Sequence, residues 1–321
     1  MTVRGGRTVR RVLMLFLDGV GIGKKDPAVN PLFAARLPAL RSLGGGEIPS
    51  LGYRRLHGER GTVVPLDATL GVAGLPQSGT GQASLFAGVN GAALAGRHFG
   101  PHPYSTLKPV IASGSIFRRI RDAGKSPLFA NAFPGRFFEY MEGKRARLTV
   151  TTLSCTGAGI PLLGAVDLAR GGGVSADITN RGWKALGHGE IPEIAPEEAG
   201  RRLARLSAAH DFVLFEYWKT DHAGHAMNMG EAVSVLETFD GMLSGILSAP
   251  EVSGTLIVIT SDHGNIEDLT VRTHTRHPVP LYLSGPGAAE AARGLDSAPD
   301  LTCVTPLLLR YLGIRSSTGV V

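Results

Sequence analysis

A doubly wound α/β fold, with helices on both faces of a mostly parallel sheet, is what this 321-residue chain predicts, on three observations. Its strand-like segments are continuously apolar rather than alternating, the mark of strands buried on both faces. Helical patterns separate those segments, the order that builds a parallel sheet. Hydrophobic residues make up 43% and charged residues 19% of the chain, enough for one large core.

The elements follow in order. "VLMLFL" (12–17) reads as the first strand and runs straight into Asp18. "SPLFANAF" (126–133), "FVLFEYW" (212–218) and "TLIVITS" (255–261) read as further buried strands, with "VPLYLSG" (279–285) a weaker one. "PVIASGSIFRRIRDAG", "PEEAGRRLARLSAAH" and "EAVSVLETFDGMLSGILSA" have helical spacing, and the second opens on proline and two glutamates, a favourable helix start. No internal repeat or low-complexity linker interrupts them. The expectation is a single domain over 1–321, with a possible small irregular insertion around 134–195, where Gly and Pro break the periodicity.

Several classes of protein are disfavoured. The net charge of +6 owes part of its excess to Arg4, Arg7, Arg10 and Arg11, which read as a solvated, frayed end rather than a nucleic-acid arm. Those arginines and the apolar run after them mimic a secretory signal. The run is too short, however, and meets Asp18 with no small-residue cleavage site. No segment approaches the ~20 apolar residues of a membrane span. Cys155 and Cys303 are isolated, without metal or redox spacing, which fits buried thiols in a cytoplasmic protein. Nothing in the pattern sets an oligomeric state.

Three strands end in an aspartate: Asp18, Asp221 and Asp262. Ligands of open parallel sheets bind outside the carboxyl ends of the strands. One such aspartate alone would read as a helix cap. Histidines change the balance. "TDHAGH" sets Asp221 and His225 four apart, on one side of a helical turn; "SDHGN" joins Asp262 to His263; "RTHTRHPVPLYL" offers His274 and His277. With His222, half of the chain's ten histidines fall in these stretches. Carboxylate oxygen and imidazole nitrogen are ligands for Zn²⁺ or Mn²⁺, and two such ions about 4 Å apart clamp a transferring phosphoryl group.

The glycines of "LDGVGIGKK" suit neither a phosphate-cradling P-loop nor a dinucleotide fingerprint, because their spacing is wrong for both. An NAD(P)-dependent oxidoreductase is disfavoured accordingly. Their simpler use is a tight backbone turn that lets Asp18 point at an ion. "GLPQSGTGQASLFAGVNGA" (74–92) reads as a turn and a small-residue helix, with Ser78 at or just before its N-terminus, where anions are favoured. Beside two metals such a serine becomes a nucleophile.

These motifs together resemble the alkaline phosphatase superfamily, in the branch of cofactor-independent phosphoglycerate mutases and phosphopentomutases. "LDGVGIG", "QSGTGQASLFAG", "TDHAGH", "SDHGN" and "THTRHPVPL" occur in that family's order, and "LTCVTPLLLRYLGI" resembles its C-terminal helix. The resemblance implies a three-layer core of the alkaline phosphatase kind and two divalent metal ions, Mn²⁺ or Zn²⁺. It implies that Asp18, Ser78, Asp262 and His263 hold one ion, and that Asp221, His225 and His274 hold the other. Ser78 takes the nucleophile's position rather than Thr80, and His274 the ligand's rather than His277. Gln77 and Gly79 depart from the family's usual neighbours of the nucleophile.

The mutases carry a large inserted domain that closes over substrate. The roughly 130 residues between Gly88 and Asp221, partly used by core elements, leave little room for one. The expectation is therefore a hydrolase, cleaving a small phosphorylated substrate through a phosphoserine. A phosphomutase is the rival reading, and a metal-binding protein without turnover is a further one. Arg97, His98, His102 and Lys108, in "GRHFGPHPYSTLK", are the candidates for holding the substrate's anionic groups.

Overall fold

The computed structural model describes residues 10–315 apart from residue 54. Arg4 and Arg7 of the basic N-terminal run lie outside the described residues. Arg10 and Arg11 are not frayed: Arg11 opens the first strand, and Arg10 donates to the Tyr311 carbonyl at 3.1 Å.

Nine strands occur among the described residues: β1 (Arg11–Leu17), β2 (Leu56–His57), β3 (Gly61–Leu66), β4 (Pro127–Phe129), β5 (Asn131–Ala132), β6 (Val174–Ser175), β7 (Phe212–Tyr217), β8 (Thr255–Thr260) and β9 (Val279–Ser284). Seven form the main sheet, in the order β2-β3-β9-β8-β1-β7-β4, and β5 pairs with β6 in a small second sheet. β1 is central and parallel to both neighbours, with Leu15 level with Phe215 on one side and Ile259 on the other.

The apolar run of β1 is continuous because the strand feeds two cores. Val12, Met14 and Phe16 join one hydrophobic cluster, and Leu13, Leu15 and Leu17 join the other. Successive side chains of a strand point to opposite faces, so both faces need apolar cover. Helices Ser78–Ala87, Leu107–Gly114, Ile116–Asp122, Val150–Gly157 and Val304–Tyr311 contribute to the first; Pro196–Ala209 and Met229–Ser248 contribute to the second. The result is the expected three-layer α/β core.

The sheet is mixed at one side. β4, β7, β1 and β8 run parallel, while β9 is antiparallel to β8, β3 to β9 and β2 to β3. No helix lies between β8 and β9, so the chain returns without the crossover a parallel neighbour needs. β3 escapes sequence reading because Pro65 sits inside it. β2 pairs only as far as Val63, so beyond that point Pro65 faces an edge, where a missing N–H is tolerated.

The 134–195 stretch is not simply irregular. It holds helices Gly135–Glu142, Val150–Gly157 and Ala165–Ala169, strand β6, and the 3₁₀ turn Arg181–Leu186. Leu168, Trp183 and Ile191 form a satellite apolar cluster with Ala132. No helix among the described residues is long and apolar enough to cross a membrane.

Candidate active site

Because β1, β7 and β8 are parallel, their carboxyl ends meet at one edge of the sheet. Asp18 directly follows β1, Asp262 lies two residues beyond β8, and Asp221 sits in the first turn of helix Lys219–Ala226 after β7. His225 closes that helix, on the same face as Asp221. The loop from β8 to β9 carries both Asp262–His263 and His274.

Ser78 is the first residue of helix Ser78–Ala87, capped by Gln77. Its Oγ lies 3.0 Å from His263 Nε2. The same nitrogen lies 3.3 Å from Asp18 Oδ1 and 3.6 Å from Asp262 Oδ2. Thr80 is turned away: its hydroxyl donates to the Gln77 carbonyl and accepts from the Phe99 N–H.

The second group adjoins the first. Asp221 Oδ2 is 3.3 Å from His225 Nε2, and its Oδ1 is 3.6 Å from His274 Nε2. The His263 and His274 rings stack with centroids 3.8 Å apart. His277 points elsewhere, and its Nδ1–H donates to Glu267 Oε1 at 3.0 Å. Asp18, Asp262 and His263 each offer a ligand atom within 4.8 Å of the others, as do Asp221, His263 and His274.

The electrostatics of this cluster ask for a cation. His274 donates its Nδ1–H to the Pro76 carbonyl at 2.7 Å, and His225 donates its Nδ1–H to the Arg272 carbonyl at 2.8 Å. With Nδ1 carrying the hydrogen, the neutral form of each ring leaves Nε2 as its lone-pair nitrogen, and the two Nε2 atoms lie 3.3 Å apart beside the Asp221 carboxylate. Burial, and then the Asp262 charge, push the Asp18 carboxyl well above the usual carboxylate range. Burial likewise raises Asp262. Burial opposes charge on His263, but Asp262 and Asp18 prevail and hold it up to about 10. Burial and the charge on His263 push His274 down to about 4. Converging carboxylates and imidazole lone pairs are stable only around positive charge, so this donor set fits divalent metal.

Residues that the motifs did not single out organise the cluster. Gln82, one helical turn beyond Ser78, donates to Asp262 Oδ2 at 3.1 Å and Asp18 Oδ2 at 3.4 Å. Asn265 donates to Asp221 Oδ1 at 2.6 Å. The buried Glu267 accepts from the Gly21 and Asn265 N–H groups, the Thr275 hydroxyl and His277, tying the Asp18 loop to the Asp262–His274 loop. Gln82 and Asn265 lie inside those motifs, and Glu267 lies two residues after "SDHGN". Gln82 was legible as the i+4 neighbour of Ser78.

Asp18, Ser78 and Asp221 open into a cavity of about 620 Å³. Its walls come largely from 131–186: Asn131, Phe133, Arg136, Phe137, Thr152 and Trp183, joined by Trp218 and Lys219 after β7. Of the four expected anion-binding residues, only His102 lines it. Arg97 lies over the Phe99 ring at 5.6 Å, His98 Nε2 meets the Val72 carbonyl at 3.2 Å, and Lys108 is exposed on helix Leu107–Gly114. The reason is local packing. Phe99 stacks edge-on with Tyr104 at 4.8 Å, pinning the loop so that Arg97 and His98 face away. Arg136 and Lys219 are the cations at the cavity instead. Neither belongs to a motif, so no sequence signal marked them.

Fold and donor set together fit a metalloenzyme, and comparison with known proteins agrees. A family model described as "Metalloenzyme superfamily" matches residues 192–316. The 2,3-bisphosphoglycerate-independent phosphoglycerate mutase of Pyrobaculum neutrophilum is 30% identical over 224 residues, 65% of this chain and 51% of that protein. The enzyme of the same name from Methylobacillus flagellatus is 34% identical over 133 residues, 39% of this chain and 25% of that one. The matched stretches thus span a quarter to a half of these relatives' length. Thermus thermophilus alkaline phosphatase shares the fold with a TM-score of 0.58 at 13% identity, covering 100% of this chain and 97% of its own. The alkaline phosphatase of the Antarctic bacterium TAB5 does so at 0.53 and 12% identity, covering 95% of this chain and 98% of its own. The family match covers the carboxyl-terminal part of the chain, which is similar in sequence to cofactor-independent phosphoglycerate mutases and in fold to alkaline phosphatases. The match to the metalloenzyme family implies divalent metal ions.

Proposed function

We propose that this chain hydrolyses a small phosphate ester through a phosphoserine at Ser78, at a centre of two divalent ions, Mn²⁺ or Zn²⁺. Asp18, Ser78, Asp262 and His263 would hold one ion, and Asp221, His225 and His274 the other. The observation that carries the reading is Ser78 itself: its Oγ stands at a helix N-terminus, 3.0 Å from His263 Nε2, where the cluster opens into the cavity. When bound, the ions supply the positive charge that favours the serine alkoxide and neutralises the transferring phosphoryl group.

The chain's own groups do the rest. Ser78 Oγ attacks phosphorus in line; the Oγ–P bond forms as the bond to the alcohol oxygen breaks, and the alcohol leaves with a proton. The N-terminus of the Ser78 helix would favour the negative charge of the phosphoryl oxygens. Gln82 keeps Asp18 and Asp262 in place. Water then attacks the phosphoserine, releasing inorganic phosphate and restoring Ser78. A cytoplasmic setting fits this reaction and the isolated cysteines.

Transfer back to the alcohol, a mutase reaction, is the second reading, favoured by the similarity to phosphoglycerate mutases. Hydrolysis is preferred because the cavity's rim is open to water: Trp218 is 45% exposed there, and Arg136 is exposed beside it. A mutase must keep water from its phosphoserine. Phosphorus NMR on a panel of esters that includes 3-phosphoglycerate tests the choice. Inorganic phosphate from at least one ester, with none isomerised, is expected. Conversion of 3-phosphoglycerate to its isomer without free phosphate would establish the mutase instead, and loss of no ester at all would leave a binding protein.

A further inference from the structure

The cavity beside Ser78 is a poor match for a small, highly charged phospho acid. Both tryptophans of the chain, Trp183 and Trp218, line it, although the chain is only 6% aromatic. Phe133 and Phe137 line it too, stacked with centroids 4.3 Å apart and planes 21° apart. Phe133 is anchored edge-on to the core residue Phe129 at 5.8 Å, and Trp183 is fixed by its Nε1–H, donated to Ser175 Oγ at 2.7 Å. These are rigid apolar surfaces held in place by the protein behind them. Trp218 is different, since it is 45% exposed at the rim and so contributes little to the core. An exposed tryptophan beside a reacting centre is better explained by what binds there than by packing.

Arg136 and Lys219 are the cavity's Lys and Arg side chains, and Lys219 Nζ lies 5.9 Å from the centre of the Trp218 ring. The volume of about 620 Å³ is in the range of sites for drug-sized ligands, several times what a three-carbon phospho acid fills. We propose that the alcohol part of the substrate carries a flat, largely apolar ring, bound between the Phe133–Phe137 wall and Trp218, with Arg136 and Lys219 guiding the phosphate toward Ser78. The inference rests on the reaction proposed above and adds the class of ester it acts on. Covering one ring face is worth roughly a 10- to 100-fold gain in affinity.

The test uses pairs of esters with the same primary-alcohol leaving group, so that intrinsic reactivity does not enter: 2-phenylethyl phosphate against ethyl phosphate, and a nucleoside 5′-monophosphate against ribose 5-phosphate. Binding to metal-loaded Ser78→Ala protein is measured by calorimetry, and phosphate release by the wild type is measured separately. At least one ring-bearing ester should bind tenfold or more tightly than its ringless partner. In the double variants Ser78→Ala/Trp218→Ala and Ser78→Ala/Phe137→Ala that ratio should fall toward one. The exposed Trp218 can be removed without disturbing the core. Ratios within about threefold for both pairs, or tighter binding of 3-phosphoglycerate than of every ring-bearing ester, would overturn the inference even if the wild type hydrolyses them all. A preserved ring preference with no phosphate released by the wild type would uphold the inference while refuting the reaction on which it was built.

Discussion

At His274, one contact sets the chemistry: the Nδ1–H donated to Pro76 fixes the tautomer and turns Nε2 toward Asp221. Three residues on, His277 makes its bond to Glu267 and faces away. His274→Ala should therefore lower activity by several orders of magnitude and leave less than the full metal complement bound, while His277→Ala should cost about 10–100-fold in activity. Steady-state rates and elemental analysis of both variants check the ranking. At this scale the sequence was informative where carboxylate and imidazole recur at short spacing beside strand ends. Asp18, Asp221, His225, Asp262, His263 and His274 were all legible, and the structure gathers them at one sheet edge. It was uninformative where a side chain's value depends on the path of the surrounding backbone. Arg97 is as basic as Arg136, yet Arg97 lies over the Phe99 ring while Arg136 lines the cavity.

Between residues and molecule, the loops carry the argument. The glycines after β1 resemble a phosphate loop in composition, yet their role is close approach. Gly19 has a φ of +69°, and a Cβ there would lie 2.6 Å from Asp221 Oδ1; at Gly21 it would overlap the Glu267 carboxyl. Gly21→Ala should push Glu267 off the loop and lower metal affinity. Glu267→Gln should do the same by about 10–100-fold, because an amide cannot accept from every donor that the carboxylate serves. Metal titration of both variants would reveal it. Wild-type metal affinity in both would mean that the two loops hold their geometry independently of Glu267. Strands were legible because burial on both faces leaves an unbroken apolar run, as in β1, β7 and β8. β3 was not, because a proline tolerated only by an edge looks like a strand breaker.

For the whole molecule, the same donor set predicts linkage between metal and stability. Asp18 and Asp262 are buried carboxyls whose charged forms are disfavoured by burial. Bound ions would relieve that cost, so a chelator should lower Tm. At an ion concentration 1,000 times Kd the effect is about 4 kcal/mol per site, roughly 5–10 °C for a chain of this size. Calorimetry with and without chelator, together with a metal count near two per chain, is the expected result; a count well below one would remove the binuclear centre. The doubly wound core was readable from the alternation of strands and helices. The wall built by 134–195 was not, because short helices and a two-residue strand leave no periodicity for a sequence to display.

Passage of phosphate through Ser78 is open to acid quench during turnover, followed by peptide mass spectrometry. The account predicts phosphate on the peptide containing Ser78 in the wild type. It also predicts none in Ser78→Ala, whose turnover should fall by roughly three orders of magnitude or more while the fold persists, since Gln77 rather than Ser78 holds the helix cap position. Undiminished phosphate release by Ser78→Ala, or a phosphoryl group found on Thr80 instead, would contradict it.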